Sequence, residues 1–248
     1  MRLTVLGSSA SFPGPGRACA GHLVSSEGAH VVLDLGNGTL ANLSVATDPY
    51  AVDAVFVSHL HPDHFLDLFA LMAMVRYAPE GTSPAIRVFA PEGLRERMTA
   101  LVSGHGREDV SAAFEWEVLR DGEPVDVGPI RVTPHAVEHS GPSFAFVVES
   151  AGTRLCYTSD SRPDGAVRRA AAGCDLLLAE ATLPEAYAGR APHMTAAEAA
   201  ALAVEAGAST LVLTHLWPTV PRNEILDAAA AVFSGRLLLA EELAVVEV

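Results

Sequence analysis

Six consecutive residues, His59-Leu60-His61-Pro62-Asp63-His64, constrain this chain more than any other stretch. They set three imidazoles and one carboxylate side by side. Imidazole and carboxylate are the ligand types that take Zn²⁺ and similar divalent ions. The cluster directly follows Ala54-Val55-Phe56-Val57, an apolar run that reads as a buried strand. In an extended segment, residues two apart point the same way, so His59 and His61 converge. A turn at Pro62 into a helix would aim Asp63 and His64 at a second ion beside the first. A lone histidine is more often structural, but a cluster this dense at a strand end points to metal. The fold must then bring further ligands to the same place.

The chain has 248 residues, half of them hydrophobic. That length buries about 70–75% of the surface an unfolded chain exposes. It predicts one domain over residues 1–248, with pseudo-symmetric halves of about 1–112 and 113–248. The net charge of −14 disfavours nucleic acid and anionic membranes as partners. A metal pair would add about +4 locally, so a site can be positive on an acidic body. Cys19, Cys156 and Cys174 fit neither a zinc knuckle nor a redox pair. Cys156 and Cys174 lie in or beside apolar stretches and are expected in the core. The opening Met1-Arg2-Leu3-Thr4-Val5-Leu6-Gly7 reads as a strand, without signal-peptide shape. No apolar run reaches the ~20 residues a membrane helix needs. A soluble, cytoplasmic protein is expected.

Strands and helices alternate along the chain. Leu3–Leu6 and Val31–Leu35 read as strands, separated by a Gly/Pro-rich loop at Ser11–Gly16. The second ends in a tight turn, Asp34-Leu35-Gly36-Asn37-Gly38, followed by a short helix over Thr39–Thr47. Leu68, Leu71, Met72 and Val75 fall at helical spacing in a helix over Phe65–Tyr77. Ile86–Ala90 is a strand and about Glu92–Leu101 a helix. Further strands are expected at Trp116–Leu119, Ile130–Ala136, Phe144–Glu149, Leu155–Thr158, Leu176–Ala179 and Thr210–Thr214. Helices are expected at Arg162–Ala172 and Arg222–Phe233. Thr195-Ala196-Ala197-Glu198 is a capping box, and Gly207 stops the helix it starts. This order predicts an α/β protein, two sheets packed together with helices outside. Gly104–Ser111 and Thr182–Pro192 lack periodicity and are expected as loops at the edge of a site.

Three more ligand types stand just past strand ends. His139 follows the run ending at Val137, Asp160 follows Leu155–Thr158, and His215 follows Thr210–Thr214. Layered α/β proteins build sites from such loops. Singly, each reads as well as a turn or surface residue. With the first cluster they make seven ligands for two ions.

The order HxHxDH, then His, Asp and His, each past a strand, resembles the metallo-β-lactamase superfamily over nearly the whole chain. The resemblance implies a four-layer αββα sandwich, two mixed sheets with helices outside. It implies that His59, His61 and His139 hold one ion, that Asp63, His64 and His215 hold the other, and that Asp160 bridges them. The implied ions are two divalent metals, Zn first, with Mn or Fe as alternatives. Leu6-Gly7-Ser8-Ser9, Pro13, Arg17, Asp34–Gly38, Glu180-Ala181-Thr182, His193-Met194-Thr195 and Leu213-Thr214-His215 are similar to ribonuclease Z. There the matching Glu and His assist proton transfer, so Glu180 and His193 become catalytic candidates beside Asp63, which could instead orient the nucleophile. His22, His30, His105 and His135 match no ligand position and read as structural or surface residues.

Two departures bear on substrate. Ribonuclease Z carries a long tRNA-gripping arm between its third histidine ligand and its bridging aspartate. Here residue 139 is followed by residue 160 after 21 positions, room for one hairpin. After His215 stand Leu216-Trp217-Pro218, where that family has Ser and Arg. Both features look more like the compact cyclic-nucleotide phosphodiesterases close to ribonuclease Z. The expected enzyme is a metal-dependent phosphodiesterase on a small substrate such as a 3′,5′-cyclic nucleotide, with a bridging hydroxide attacking phosphorus. The alternatives are an RNA 3′-processing endonuclease, a thioester or lactone hydrolase, and a metal-bound scaffold or sensor without turnover. The resemblance also implies a homodimer.

Overall fold

Short runs of consecutive apolar residues bury both faces of a strand. Val31, Val32 and Leu33 are all fully buried yet divide by strand alternation: Val31 and Leu33 face one core, Val32 another. The computed structural model describes residues 1–79 and 83–248. From the N-terminus the chain runs β1 (Arg2–Gly7), β2 (Gly21–Ser26), β3 (Ala29–Leu35), α1 (Thr39–Ala46), β4 (Ala54–Phe56), α2 (Leu68–Tyr77), β5 (Ile86–Ala90), α3 (Leu94–Leu101), α4 (Gly104–Ala113) and β6 (Phe114–Val118). It continues as β7 (Val125–Val127), β8 (Ile130–Ala136), β9 (Phe144–Ser150), β10 (Thr153–Tyr157), α5 (Gly165–Ala171), β11 (Leu176–Glu180), α6 (Ala196–Ala206), β12 (Thr210–Thr214), α7 (Arg222–Ala230), β13 (Arg236–Leu239) and β14 (Val245–Glu247).

The strands form two seven-stranded sheets, ordered β14-β1-β2-β3-β4-β5-β6 and β13-β12-β11-β10-β9-β8-β7. Each sheet is mixed in the same way. Its first three pairings from β14 or from β7 are antiparallel, and its last three are parallel. Between the sheets lies a core that includes Leu3, Leu33, Phe56, Phe89, Phe146 and Tyr157. Phe56 stacks on Phe89 at 4.5 Å and meets Phe146 edge-on at 5.8 Å, so aromatic rings tie the sheets together. A second core covers the outer face of the first sheet with α1 to α4, through Leu43, Leu71, Val75 and Met98. A third covers the other sheet with α5 to α7, and is built largely of alanine: Ala170, Ala199, Ala203 and Ala229. Small side chains let these helices sit close on the sheet. The result is the expected four-layer αββα sandwich.

Several segments differ from the sequence reading: β2 and β7 stand where no strand is expected, and α5 begins at Gly165 rather than Arg162. Gly104–Ser111, expected as a loop at the site's edge, lies within helix α4, which packs on α2 and α3. Its buried residues are only Val110 and Ala113, too few for a visible period. Tertiary contacts hold it instead: Arg76 pairs with Asp109 at 3.3 Å, and the Trp116 indole N–H donates to the Val110 carbonyl. Helix α2 begins at Leu68 rather than Phe65, because the chain first makes a separate 3₁₀ turn over Pro62–His64. Cys156 and Cys174 are buried in the alanine-rich core, as expected, and Cys19 is buried too. Among the described residues, no helix is long and apolar enough to cross a membrane.

Candidate metal centre

The parallel strands set their carboxyl ends along one edge, where open α/β sheets commonly place ligands. Asp34 stands at the end of β3, and His59, His61, Asp63 and His64 follow β4. Asp160 follows β10, Glu180 ends β11, and His215 follows β12. Beyond the antiparallel β8, His139 reaches the same spot. The seven ligands predicted from sequence meet there. His59, His61, His139 and Asp160 form one group and Asp63, His64 and His215 another, each with its ligand atoms within 4.8 Å of one another. The Asp160 carboxylate lies between them: Oδ2 is 3.6 Å from His59 Nε2, 3.7 Å from His139 Nε2 and 3.5 Å from His64 Nε2. His59, His64, Asp160 and His215 are all but fully buried.

Each imidazole spends one nitrogen on an anchor and turns the other inward. His64 Nδ1 donates to Asp34 Oδ2 at 2.8 Å, and His139 Nδ1 donates to the Pro192 carbonyl at 3.0 Å. His59 Nδ1 meets Ser58 Oγ at 3.0 Å, while the Ser58 hydroxyl donates to Asp34. His215 Nδ1 lies 2.8 Å from Thr182 Oγ1, whose own proton goes to Glu180 Oε2 at 2.5 Å. His61 is reversed, with Nε2 held by Ser140 Oγ and Nδ1 turned inward. Such anchors fix tautomer and ring orientation around a metal. The inward nitrogens face one another at 3.0 Å (His59 and His61) and 3.3 Å (His64 and His215). Facing lone pairs repel unless a cation lies between them. Among the described residues, Asp160 Oδ1 is a buried acceptor with no hydrogen-bond donor, and a bound cation would satisfy it. The donor set therefore fits a pair of divalent ions.

A model of the β-lactamase superfamily domain matches residues 30–216. The chain belongs to this superfamily. An uncharacterized protein of Mycobacterium tuberculosis is 34% identical over 242 residues, covering 95% of this chain and 88% of that one. A ribonuclease Z of Haloarcula marismortui is 28% identical over 297 residues, covering 98% and 95%. That span exceeds the 248 residues here, so the archaeal protein carries insertions this chain lacks. Among solved structures, the metallo-β-lactamase fold protein YhfI of Bacillus subtilis superposes with a TM-score of 0.88, at 26% identity, covering 99% of both chains. Superfamily membership and the two ligand groups make this chain a metal-dependent hydrolase, with a site suited to phosphoester or thioester chemistry.

This superfamily site is electrostatically divided. Burial pulls the His59 ring well below the usual imidazole range, and His64 nearby adds to the effect. Burial acts on His64 too, but Asp160 and Asp34 outweigh it and push that ring up. Burial works against ionised Asp160, yet His215 and His64 hold its carboxyl well below the usual range. Asp63 behaves alike: burial opposes its charge, while His215 and His64 lower it. The Ser11 amide also donates to Asp63 Oδ2 at 2.9 Å. Asp34, Ser159 and His215 adopt left-handed backbone, with φ of 59°, 51° and 50°. Such strain in non-glycine residues collects at functional sites. Gly36 has no alternative, since a Cβ there would lie 1.9 Å from the Asp63 carbonyl oxygen.

Glu180 and His193 sit against this cluster. His193 Nδ1 is 3.0 Å from Glu180 Oε1 and 4.0 Å from Asp160 Oδ2. Burial lowers the His193 ring, but Glu180 more than compensates and pushes it up to about 9. Glu180 is fully buried and also accepts from the Ser161 amide at 2.8 Å. Sequence reasoning missed Asp34 and Thr182 as anchoring residues. The only signal was their place in the two quoted motifs. Of the histidines outside the ligand set, His22 is fully buried, edge-on to Tyr157 at 5.1 Å, and burial with His64 and His215 nearby pushes it down to about 3. His30 bonds Ser25, and His105 is exposed on α4.

Proposed function

We infer that this chain is a phosphodiesterase acting on a small substrate, a 3′,5′-cyclic nucleotide, with two divalent ions held by His59, His61, His139, Asp63, His64, His215 and the bridging Asp160. Zinc is the ion of choice for an imidazole-rich set of this kind. Bound there, a metal pair supplies an activated water at neutral pH and neutralises charge on the phosphate oxygens.

The chain's own residues supply the rest. Protonated His193 donates a hydrogen bond from Nδ1–H to Glu180 and keeps Nε2–H for the leaving oxygen. Glu180, held by the Ser161 amide and the Thr182 hydroxyl, fixes that ring and favours its protonated form. Asp63, fixed by the Ser11 amide, holds its place in the second ligand group.

The observation that carries the small-substrate reading is the hairpin β9–β10. It takes up residues 144–157 of the interval from His139 to Asp160, and the short segments on either side leave no room for an arm to grip a large RNA. The net charge of −14 supports it, since phosphate-rich partners are repelled. The test gives purified protein with Mn²⁺ or Zn²⁺ a 3′,5′-cyclic nucleotide, a precursor tRNA and a thioester. Hydrolysis of the cyclic nucleotide is expected. Cleavage of precursor tRNA with cyclic nucleotides untouched would overturn the reading.

A further inference from the structure

Beside His193 opens a cavity of about 490 Å³, within the range of small-molecule sites. Its walls include Leu183, Pro184, Tyr187, Trp217, Thr219 and Val220. Among the described residues, no Lys, Arg, Asp or Glu lines it. Trp217 is set in place with care. It stands two residues past buried His215. The intervening Leu216 donates its N–H to the Ser8 carbonyl at 2.8 Å and accepts from the Ala10 N–H at 3.0 Å. Phe12, from the same loop as Ala10, meets the indole edge-on at 5.5 Å. Despite these ties the indole is 36% exposed, and the Tyr187 ring is 50% exposed. Two aromatic residues from separate segments thus present apolar surface to water beside His193, the Tyr187 ring also carrying the Arg190 guanidinium at 5.0 Å from its centroid. Water gains nothing from such a face, whereas a flat π system stacked on it does.

The polar inventory of the cleft is short. The Thr182 hydroxyl is committed to Glu180 and His215. With His193 assigned to the leaving oxygen, that leaves the rotatable hydroxyls of Tyr187 and Thr219 and the Trp217 indole N–H as side-chain partners for a ring edge. Telling one base from another needs fixed, buried donors and acceptors, whereas stacking tolerates every base.

We propose that Trp217 and Tyr187 form a stacking cleft for the base of the substrate, and that it accepts adenine and guanine alike. The proposal rests on the phosphodiesterase reading and names its specificity determinant.

The test compares kcat/KM for adenosine 3′,5′-cyclic phosphate, its guanosine counterpart and the abasic 3′,5′-cyclic phosphate of 1-deoxyribose. In the wild type, adenosine and guanosine substrates should agree within about tenfold; a wider gap overturns the claim of tolerance. In Trp217→Ala, the preference for adenosine over the abasic substrate should fall by about tenfold or more, through KM rather than kcat. Trp217→Phe should restore most of it. A preference that Trp217→Ala leaves unmoved overturns the cleft. Should the wild type hydrolyse no cyclic phosphate, the phosphodiesterase reading fails but the cleft is still judged. Adenosine 5′-monophosphate should quench indole fluorescence in the wild type and not in Trp217→Phe, which keeps Trp116 alone. Absence of that quenching overturns the proposal.

Discussion

Asp34 orders the site without being one of its seven candidate ligands. Its buried carboxylate accepts from the Ser58 amide at 2.7 Å and from the Ser58 hydroxyl, the Tyr157 hydroxyl and His64 Nδ1, each at 2.8 Å. Asp34→Asn keeps the volume and the left-handed backbone, which Asn tolerates, but removes the charge that aligns His64. Metal affinity should fall about 10- to 100-fold, read by competition with a chromogenic chelator. Unchanged affinity would show that Asp34 only packs. His193 offers the second test at this scale. Its loss in His193→Ala should lower kcat by ~10²–10⁴ on substrates with poor leaving groups, and far less on p-nitrophenyl esters. A proton donor must be protonated, so activity should hold at neutral pH and decline as pH rises through the His193 pKa. Without cations that value lies at about 9; bound cations shift it downward. The alkaline decline should vanish in His193→Ala, and its persistence would assign it to another group.

Helix α6 shows what local sequence controls. Thr195 Oγ1 accepts from the Glu198 amide at 3.2 Å, and Glu198 Oε2 accepts from the Thr195 amide at 2.9 Å. The pair starts the helix two residues after His193, and the Leu183 amide bonds the Met194 carbonyl at 3.0 Å to fix the approach. Thr195→Ala should cost about 1 kcal/mol, a drop of about 2–4 °C in Tm for a chain this size. Thr195→Ser should recover most of it in the same melting experiment, and equal losses would mean that the methyl group matters more than the cap. This capping box, and Gly207 at the far end, were legible because they act within a few residues. So were most of the strands buried on both faces, though not β2, where Gly21, His22, Ser25 and Ser26 interrupt the apolar pattern. Helix α4 was hidden because contacts with α2 and α3, rather than its own period, hold it together. The metal cluster was legible because its ligands are chemically unusual and crowded. Asp34 and Thr182 were not, because each gains its role from a partner such as Tyr157 or His215 that only the fold delivers.

At the scale of the whole molecule, the candidate metal centre is also a seam. His59, His61, Asp63 and His64 come from the end of the first sheet, and His139, Asp160 and His215 from the end of the second. Ions bound among them join the two sheets along one edge, while the aromatic core around Phe56 and Phe146 holds them elsewhere. A ligand that binds only the folded state adds about 2.7 kcal/mol at a hundredfold excess over Kd. For a chain of this length that corresponds to roughly 5–10 °C of Tm per site. Chelation should therefore lower the melting temperature by at least that amount and raise hydrogen exchange in the 58–64 and 159–161 segments. Exchange at the centres of β4, β9 and β10 should stay slow, because the core there does not depend on metal. Asp160→Ala, which removes the shared ligand, should melt low and respond little to chelator. Equal melting temperatures with and without chelator, in protein shown by elemental analysis to have lost its metal, would mean that the intersheet core alone holds the edge closed. The histidines would then serve the reaction without serving the fold.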